Sequence, residues 1–125
     1  MADPLQIELV AADRVVWSGQ ASEVSARTVA GDLGILANHA PLLSLLVPGI
    51  VEIRPLDGGP VRAAVAEGFL SVAHNRVSIL SEDAFLASEI DAGAVRAELE
   101  AAQQGDDEDA VLRAEAKLRL VDLKS

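Results

Sequence analysis

Up to about residue 82 the chain alternates apolar and polar residues, and Gly or Pro interrupts it every few positions. Beyond residue 88 it does neither. That switch of period constrains the fold more than any other feature. Leu5, Ile7 and Leu9 alternate with Gln6 and Glu8, which is the period-two pattern of a half-buried strand. Arg14 to Trp17 forms a short second run, which Ser18-Gly19 is expected to stop. Val24, Ala26 and Thr28 then alternate with Glu23, Ser25 and Arg27. Ala30 to Gly34 is a turn cluster, and Ile35-Leu36 resumes the pattern briefly. Asn38-His39-Ala40-Pro41 and Pro48-Gly49 are loop and turn compositions, and the stretch Leu42 to Val47 between them is too short to assign by pattern. Val51 and Ile53, then Val61, Ala63 and Val65, flank a hairpin connection from Pro55 to Pro60. Phe69 to Val72 and Val77 to Ile79 flank a tight turn at His74-Asn75. Short strands at regular spacing with no intervening helical pattern predict an antiparallel sandwich or barrel.

After Ser88 the apolar residues fall at helical spacing. Val95, Leu99 and Ala102 form one helix, ended by Gln103-Gln104-Gly105. Asp106 to Asp109 is an acidic hinge whose last Asp is expected to cap a second helix over 110–123. The expected division is a β domain over 1–88 and a helical hairpin over 89–125. Two short helices bury little surface alone, so the tail must pack on the sandwich, on a partner, or on each in turn. The second helix carries two apolar stripes. One is Val111, Ala114, Leu118 and Val121; the other is Leu112, Ala116, Leu120 and Leu123. Arg113, Lys117 and Lys124 run between them, in a chain whose net charge is −10. That basic line is either a solvated face or a surface seeking an acidic groove on a partner.

The net charge excludes a nucleic-acid surface, which needs clustered Lys and Arg, and direct docking on anionic lipid. No cysteine is present, which removes disulfides, thiolate catalysis and thiolate metal sites. No apolar run has the length of a membrane span, and Met1-Ala2-Asp3-Pro4 leads directly into a strand pattern without a signal-peptide signature. The expectation is a soluble chain that reaches a membrane only through partners. His39 and His74 stand in separate loops without a neighbouring acid and nucleophile, and Glu82-Asp83 would point to opposite strand faces. The acidic hinge lacks the spacing of a calcium loop, and no helix follows Gly31-Asp32-Leu33-Gly34 as a phosphate loop requires. No catalytic, metal or cofactor site is expected.

Several segments together resemble the epsilon subunits of F-type ATP synthases. They are Gly31-Asp32-Leu33-Gly34-Ile35-Leu36, His39-Ala40-Pro41-Leu42-Leu43, Leu46-Val47-Pro48-Gly49, Glu67 to Val72, Val77 to Leu80, Trp17-Ser18-Gly19 and Leu118 to Leu123. The matches run in order along nearly the whole chain. The resemblance implies a sandwich of about ten strands followed by the two-helix hairpin. It also implies a non-catalytic rotor subunit of the central stalk, on the cytoplasmic face of the cell membrane. Its implied partners are the gamma subunit, the c subunits of the rotor ring and, through the last helix, the alpha/beta catalytic head. It further implies a loop around Gly31, Asp32, His39 and Pro41 that faces the ring, and a tail that can restrain ATP hydrolysis. Some members bind ATP through Ile/Leu-Asp-x-x-Arg-Ala. Here Ile90-Asp91 is followed by Arg96-Ala97 two residues late, about 200° around a helix, so ATP binding is not expected. The competing readings are a free-standing adaptor with a mobile helical arm and, less compatible with the residue inventory, a small β-sandwich enzyme.

Overall fold

The computed structural model describes residues 4–105 and 107–124, with side chains described through residue 122. Leu5, Ile7, Leu9 and Ala11 are buried while Gln6 and Glu8 are exposed, so the first alternating run becomes β1 (Leu5–Ala11) with one face on a core. The other strands are β2 (Arg14–Thr28), β3 (Gly31–Leu36), β4 (Leu42–Leu46), β5 (Gly49–Pro55), β6 (Val61–Val65), β7 (Gly68–Ala73), β8 (Arg76–Ser81) and β9 (Ala84–Leu86). The stretch that pattern alone left unassigned is thus a strand, β4, paired with β7.

The expected stop at Ser18-Gly19 is not there, because β2 runs on for 15 residues. A Cβ placed on Gly19 would lie 3.0 Å from the Trp17 indole. Residues two apart share a strand face, so this glycine makes room for the ring and does not turn the chain. The first part of β2 pairs with β1, and its later part lies between β3 and β5. Register shifts between Leu9 and Val10 of β1, and between Ala21 and Glu23 of β2, bend the ladder so that β2 passes from one layer to the other. The hydrogen-bonded order is β1-β8-β7-β4-β2-β5-β6-β9, with β3 on β2. That is nine strands among the described residues, and counting β2 once per layer accounts for the ten expected. One pair departs from the antiparallel pattern: β1 lies parallel to β8, with Gln6 opposite Arg76.

Both layers contribute to one aliphatic core. Leu5, Leu9, Leu70, Val72 and Ile79 come from one side, and Val24, Ile35, Val51 and Ile53 from the other. The His74-Asn75 turn closes β7 on β8 with φ of 51° and 61°, the double positive φ of a two-residue type I′ hairpin.

A 3-10 turn (Ala87–Glu89) leads into α1 (Ala92–Gln103) and then α2 (Glu108–Lys124). Asp91 caps α1 by accepting from the backbone N–H of Gly93 and Ala94. The cap of α2 is Asp107, whose Oδ1 accepts from the Ala110 N–H at 3.1 Å. The cap expected at Asp109 is therefore displaced by two residues: α2 starts inside the acidic run, and Asp109 lies in its first turn. Asp106 lies outside the described residues. The hairpin covers the outer face of β5 and β6, where Ala64, Ala116 and Leu120 are fully buried with Ile50, Ala87 and Ile90 around them.

Candidate partner interface

Both stripes of α2 have buried members within the chain, although Leu112 of the second is exposed. Ala116 and Leu120 pack on the sandwich through Ala64. Ala114 is also fully buried, about 200° away from Ala116 around the helix, and α2 packs along α1. Two apolar stripes therefore do not by themselves demand two docking states. The basic line between them is also engaged. Arg113 Nη1 donates to both Glu67 carboxylate oxygens, at 2.7 and 2.9 Å, and its Nη2 lies 3.7 Å from Asp107. Partial burial works to lower the Arg113 pKa, but the Glu67 hydrogen bond and the charges of Glu67, Asp107 and Asp109 outweigh it. The guanidinium is held above its ordinary range. Lys117 Nζ sits 3.2 Å from Glu98 of α1 and 4.7 Å above the Phe85 ring of β9. The side chain of Lys124 lies outside the described residues.

The four loop residues do not form one rim. Gly31 and Asp32 begin β3, while His39 and Pro41 follow its far end. At about 3.3 Å per residue, the Asp32–Leu36 stretch alone separates the two groups by roughly 13 Å. At the first end Thr28 Oγ1 donates to the Gly31 carbonyl, Gly31 takes a φ of 112°, and Asp32 pairs with Arg27 at 3.1 Å. At the other end the Asn38 N–H donates to Asn75 Oδ1 at 2.6 Å, fastening the loop to the β7–β8 turn. The His39 Nδ1–H meets the Ala40 carbonyl at 2.7 Å. Both ends are exposed, and the two pairs of residues face different ends of the sandwich.

A third surface escaped sequence reasoning. On the outer face of the layer away from the helices, Leu45 stands opposite Phe69, Phe69 opposite Leu80, Leu80 opposite Val10, and Val10 opposite Val15. This apolar row crosses five strands, four steps of about 4.8 Å each. Leu45, Phe69, Leu80 and Val15 are each roughly half exposed. The adjacent row starts with the exposed Leu43 on β4 and is polar beyond it: Ser71, Ser78, Glu8 and Ser18 align across β7, β8, β1 and β2. Single exposed apolar residues are ordinary, but a contiguous row marks a contact surface. It was invisible in the sequence because its members lie in separate strands and only register brings them together.

Residues 4–87 match the family model described as ATP synthase, Delta/Epsilon chain, beta-sandwich domain. Over 121 residues the chain is 52% identical to the ATP synthase epsilon chain of Streptomyces avermitilis, covering 97% of this chain and 98% of that one. It belongs to the ATP synthase epsilon chain family. The epsilon chain of Corynebacterium diphtheriae is 48% identical over 126 residues, covering 100% of this chain and 98% of the relative. Among solved structures, a chain of the Euglena gracilis mitochondrial ATP synthase (OSCP/F1/c-ring, rotational state 1) superposes with a TM-score of 0.74 at 24% identity. That match covers 97% of this chain and 81% of the other. A chain of the Tetrahymena thermophila central stalk and c-ring gives 0.62 at 21%, covering 98% and 97%. These two likenesses concern the fold.

Asp91 has its Oδ1 occupied as the α1 cap, and Arg96 is exposed on α1. His39 and His74 lie in two loops that Asn38 and Asn75 fasten together, and no group of three or more potential metal ligands occurs among the described residues. No described helix is long and apolar enough to cross a membrane.

Proposed function

We propose that this member of the epsilon family works as a non-catalytic subunit of the central stalk. In this reading it transmits rotation of the c-ring to the catalytic head and restrains ATP hydrolysis through α2. Family membership over nearly the whole chain supports the assignment. The observation that carries the mechanics is the apolar row from Leu45 to Val15 on the sheet face the helices leave open. A rotor element must be gripped firmly by its neighbour, and a row of half-exposed aliphatic and aromatic side chains flanked by serines suits a stable protein contact. The gamma subunit is the neighbour assigned to it. The exposed ends of β3, with Asp32 at one and His39 and Pro41 at the other, are left for the rotor ring. Since they face opposite ends, one pair at a time can meet the ring. The association with the membrane is peripheral and runs through these partners.

The restraint on hydrolysis assigned to α2 requires Arg113 and Lys117 to exchange Glu67 and Glu98 for acidic surface on the alpha/beta head. The test uses the assembled enzyme. Deleting residues 110–125 should raise ATP hydrolysis while assembly and coupled proton pumping persist. Unchanged hydrolysis removes the inhibitory role and leaves the stalk role. Replacing Leu80 with Lys should weaken binding to purified gamma subunit, and unchanged binding would refute the docking face.

A further inference from the structure

Where the apolar row ends at β4, the surface sinks into a groove of about 540 Å³. Val29, Leu45 and Phe69, at 63%, 50% and 50% exposure, line it together with Glu67, Glu82 and Asp109. Glu82 has no ion-pair partner among the described residues, and Glu67 is held by Arg113 of α2. The corner carrying Glu67 is rigid. The Ala66 N–H donates to the buried Ser81 Oγ, and the Glu67 carbonyl accepts from the Glu82 N–H. A Cβ on Gly68 would fall 1.8 Å from the Leu80 carbonyl oxygen, so this turn admits no side chain.

The groove thus offers apolar surface beside carboxylates, one of which, Glu67, is shared with the helix. Burying the apolar wall is favourable at roughly 25 cal/mol per Å². Covering the carboxylates is unfavourable unless a cation comes with the cover. We infer that the groove receives a segment of the stalk neighbour that presents an apolar side chain next to a Lys or Arg, and that this cation competes with Arg113 for Glu67. Docking at the groove then loosens α2, whose apolar contact with the sandwich buries Ala64, Ala116 and Leu120 among the described residues. Gripping by the stalk and freedom of the helix become one linked event, since a ligand shifts an equilibrium by its differential affinity for the two states.

This inference rests on the proposed docking to gamma, and the experiment separates the two. Purified gamma subunit is titrated calorimetrically into the full chain and its variants, and amide hydrogen exchange of α2 is followed in the free and bound chain. Glu82→Lys, which leaves the Arg113–Glu67 pair in place, should weaken binding about tenfold, and more at low salt. In the free chain Glu67→Gln should speed α2 exchange about fivefold without changing the sandwich amides. Binding of gamma to the unaltered chain should speed α2 exchange likewise. If Leu80→Lys weakens binding while Glu82→Lys does not, the groove is not the site and the docking row stands. If neither weakens it, the docking face falls and the inference with it. If α2 exchanges equally in free and bound chain, competition for Glu67 is overturned.

Discussion

The sandwich and the hairpin are held by different means. In the sandwich, two layers close over a shared aliphatic core in which Leu5, Leu9, Ile53, Leu70 and Ile79 are essentially inaccessible to water. Its ladders tie residue 6 to residue 76, so no strand can leave without breaking its neighbours. Among the described residues the hairpin rests on that body through a small apolar contact that buries Ala64, Ala116 and Leu120, through the Arg113–Glu67 ion pair and through Lys117 above the Phe85 ring. Exposed or half-exposed ion pairs contribute only about 0–1 kcal/mol each. The lesson is a division of stability: one region is locked by a shared core, the other is held by a small contact that a modest change would weaken.

The strongest way to break this comparison is to attack the sandwich where it has no slack. Gly68→Ala forces a methyl group into the Leu80 carbonyl. The expected cost is about 3 kcal/mol or more, seen as a lower urea midpoint for the whole chain. A loss below 0.5 kcal/mol would mean that the β6–β7 corner is soft. Next in size is a matched pair of cavities. Leu70→Ala, in the core, should cost about 2–5 kcal/mol globally. Leu120→Ala removes an equally buried leucine, yet its cost is capped by what docking of α2 is worth. It should abolish exchange protection in α2 while moving the urea midpoint of the sandwich little. Equal global losses from the two variants would erase the distinction between the regions.

The same division explains what could be read in advance. The sandwich was legible because a period of two and Gly/Pro punctuation are local signals, as in Leu5-Gln6-Ile7-Glu8-Leu9. The helices were legible from the change of period after Ser88. What stayed hidden depends on contacts between distant segments. Ser18-Gly19 reads as a stop, and only the indole of Trp17 above it reveals a packing glycine. The parallel pairing of β1 with β8 leaves no local trace. The loop candidates Asp32 and His39 sit close in sequence, but a whole strand lies between them in space. The basic line of α2 was visible. Its acidic partners Glu67 and Glu98 were not, because they come from a turn 46 residues away and from the other helix.

A smaller effect sharpens the comparison from the hairpin side. Raising salt from low to about 0.5 M should speed exchange in α2 by a fewfold and leave β1, β7 and β8 unchanged, because screening acts on the partly exposed Arg113–Glu67 and Lys117–Glu98 pairs and not on an aliphatic core. Salt-independent exchange in α2 would show that apolar burial alone holds the helix.

The smallest effect falls on the hinge. Asp107 accepts from the Ala110 N–H and lies 3.7 Å from Arg113, so one carboxylate caps α2 and also reaches its first cation. Asp109, two residues on, sits in the first turn, where its charge favours the helix through the dipole and through its attraction for Arg113. Replacing Asp107 with Ala removes an N-cap, at about 1 kcal/mol. Replacing Asp109 with Ala removes only such charge effects, about 0.3–1 kcal/mol for the dipole contribution and screened by salt. The two should therefore differ in kind. Asp107→Ala should speed exchange of the first-turn amides at every salt concentration, whereas the smaller effect of Asp109→Ala should fade as salt rises. Neither should move the sandwich, because neither carboxylate is hydrogen-bonded or ion-paired to a strand among the described residues. If Asp109→Ala proves the costlier at high salt, the helix starts two residues later than Glu108 and the cap belongs to Asp109 after all.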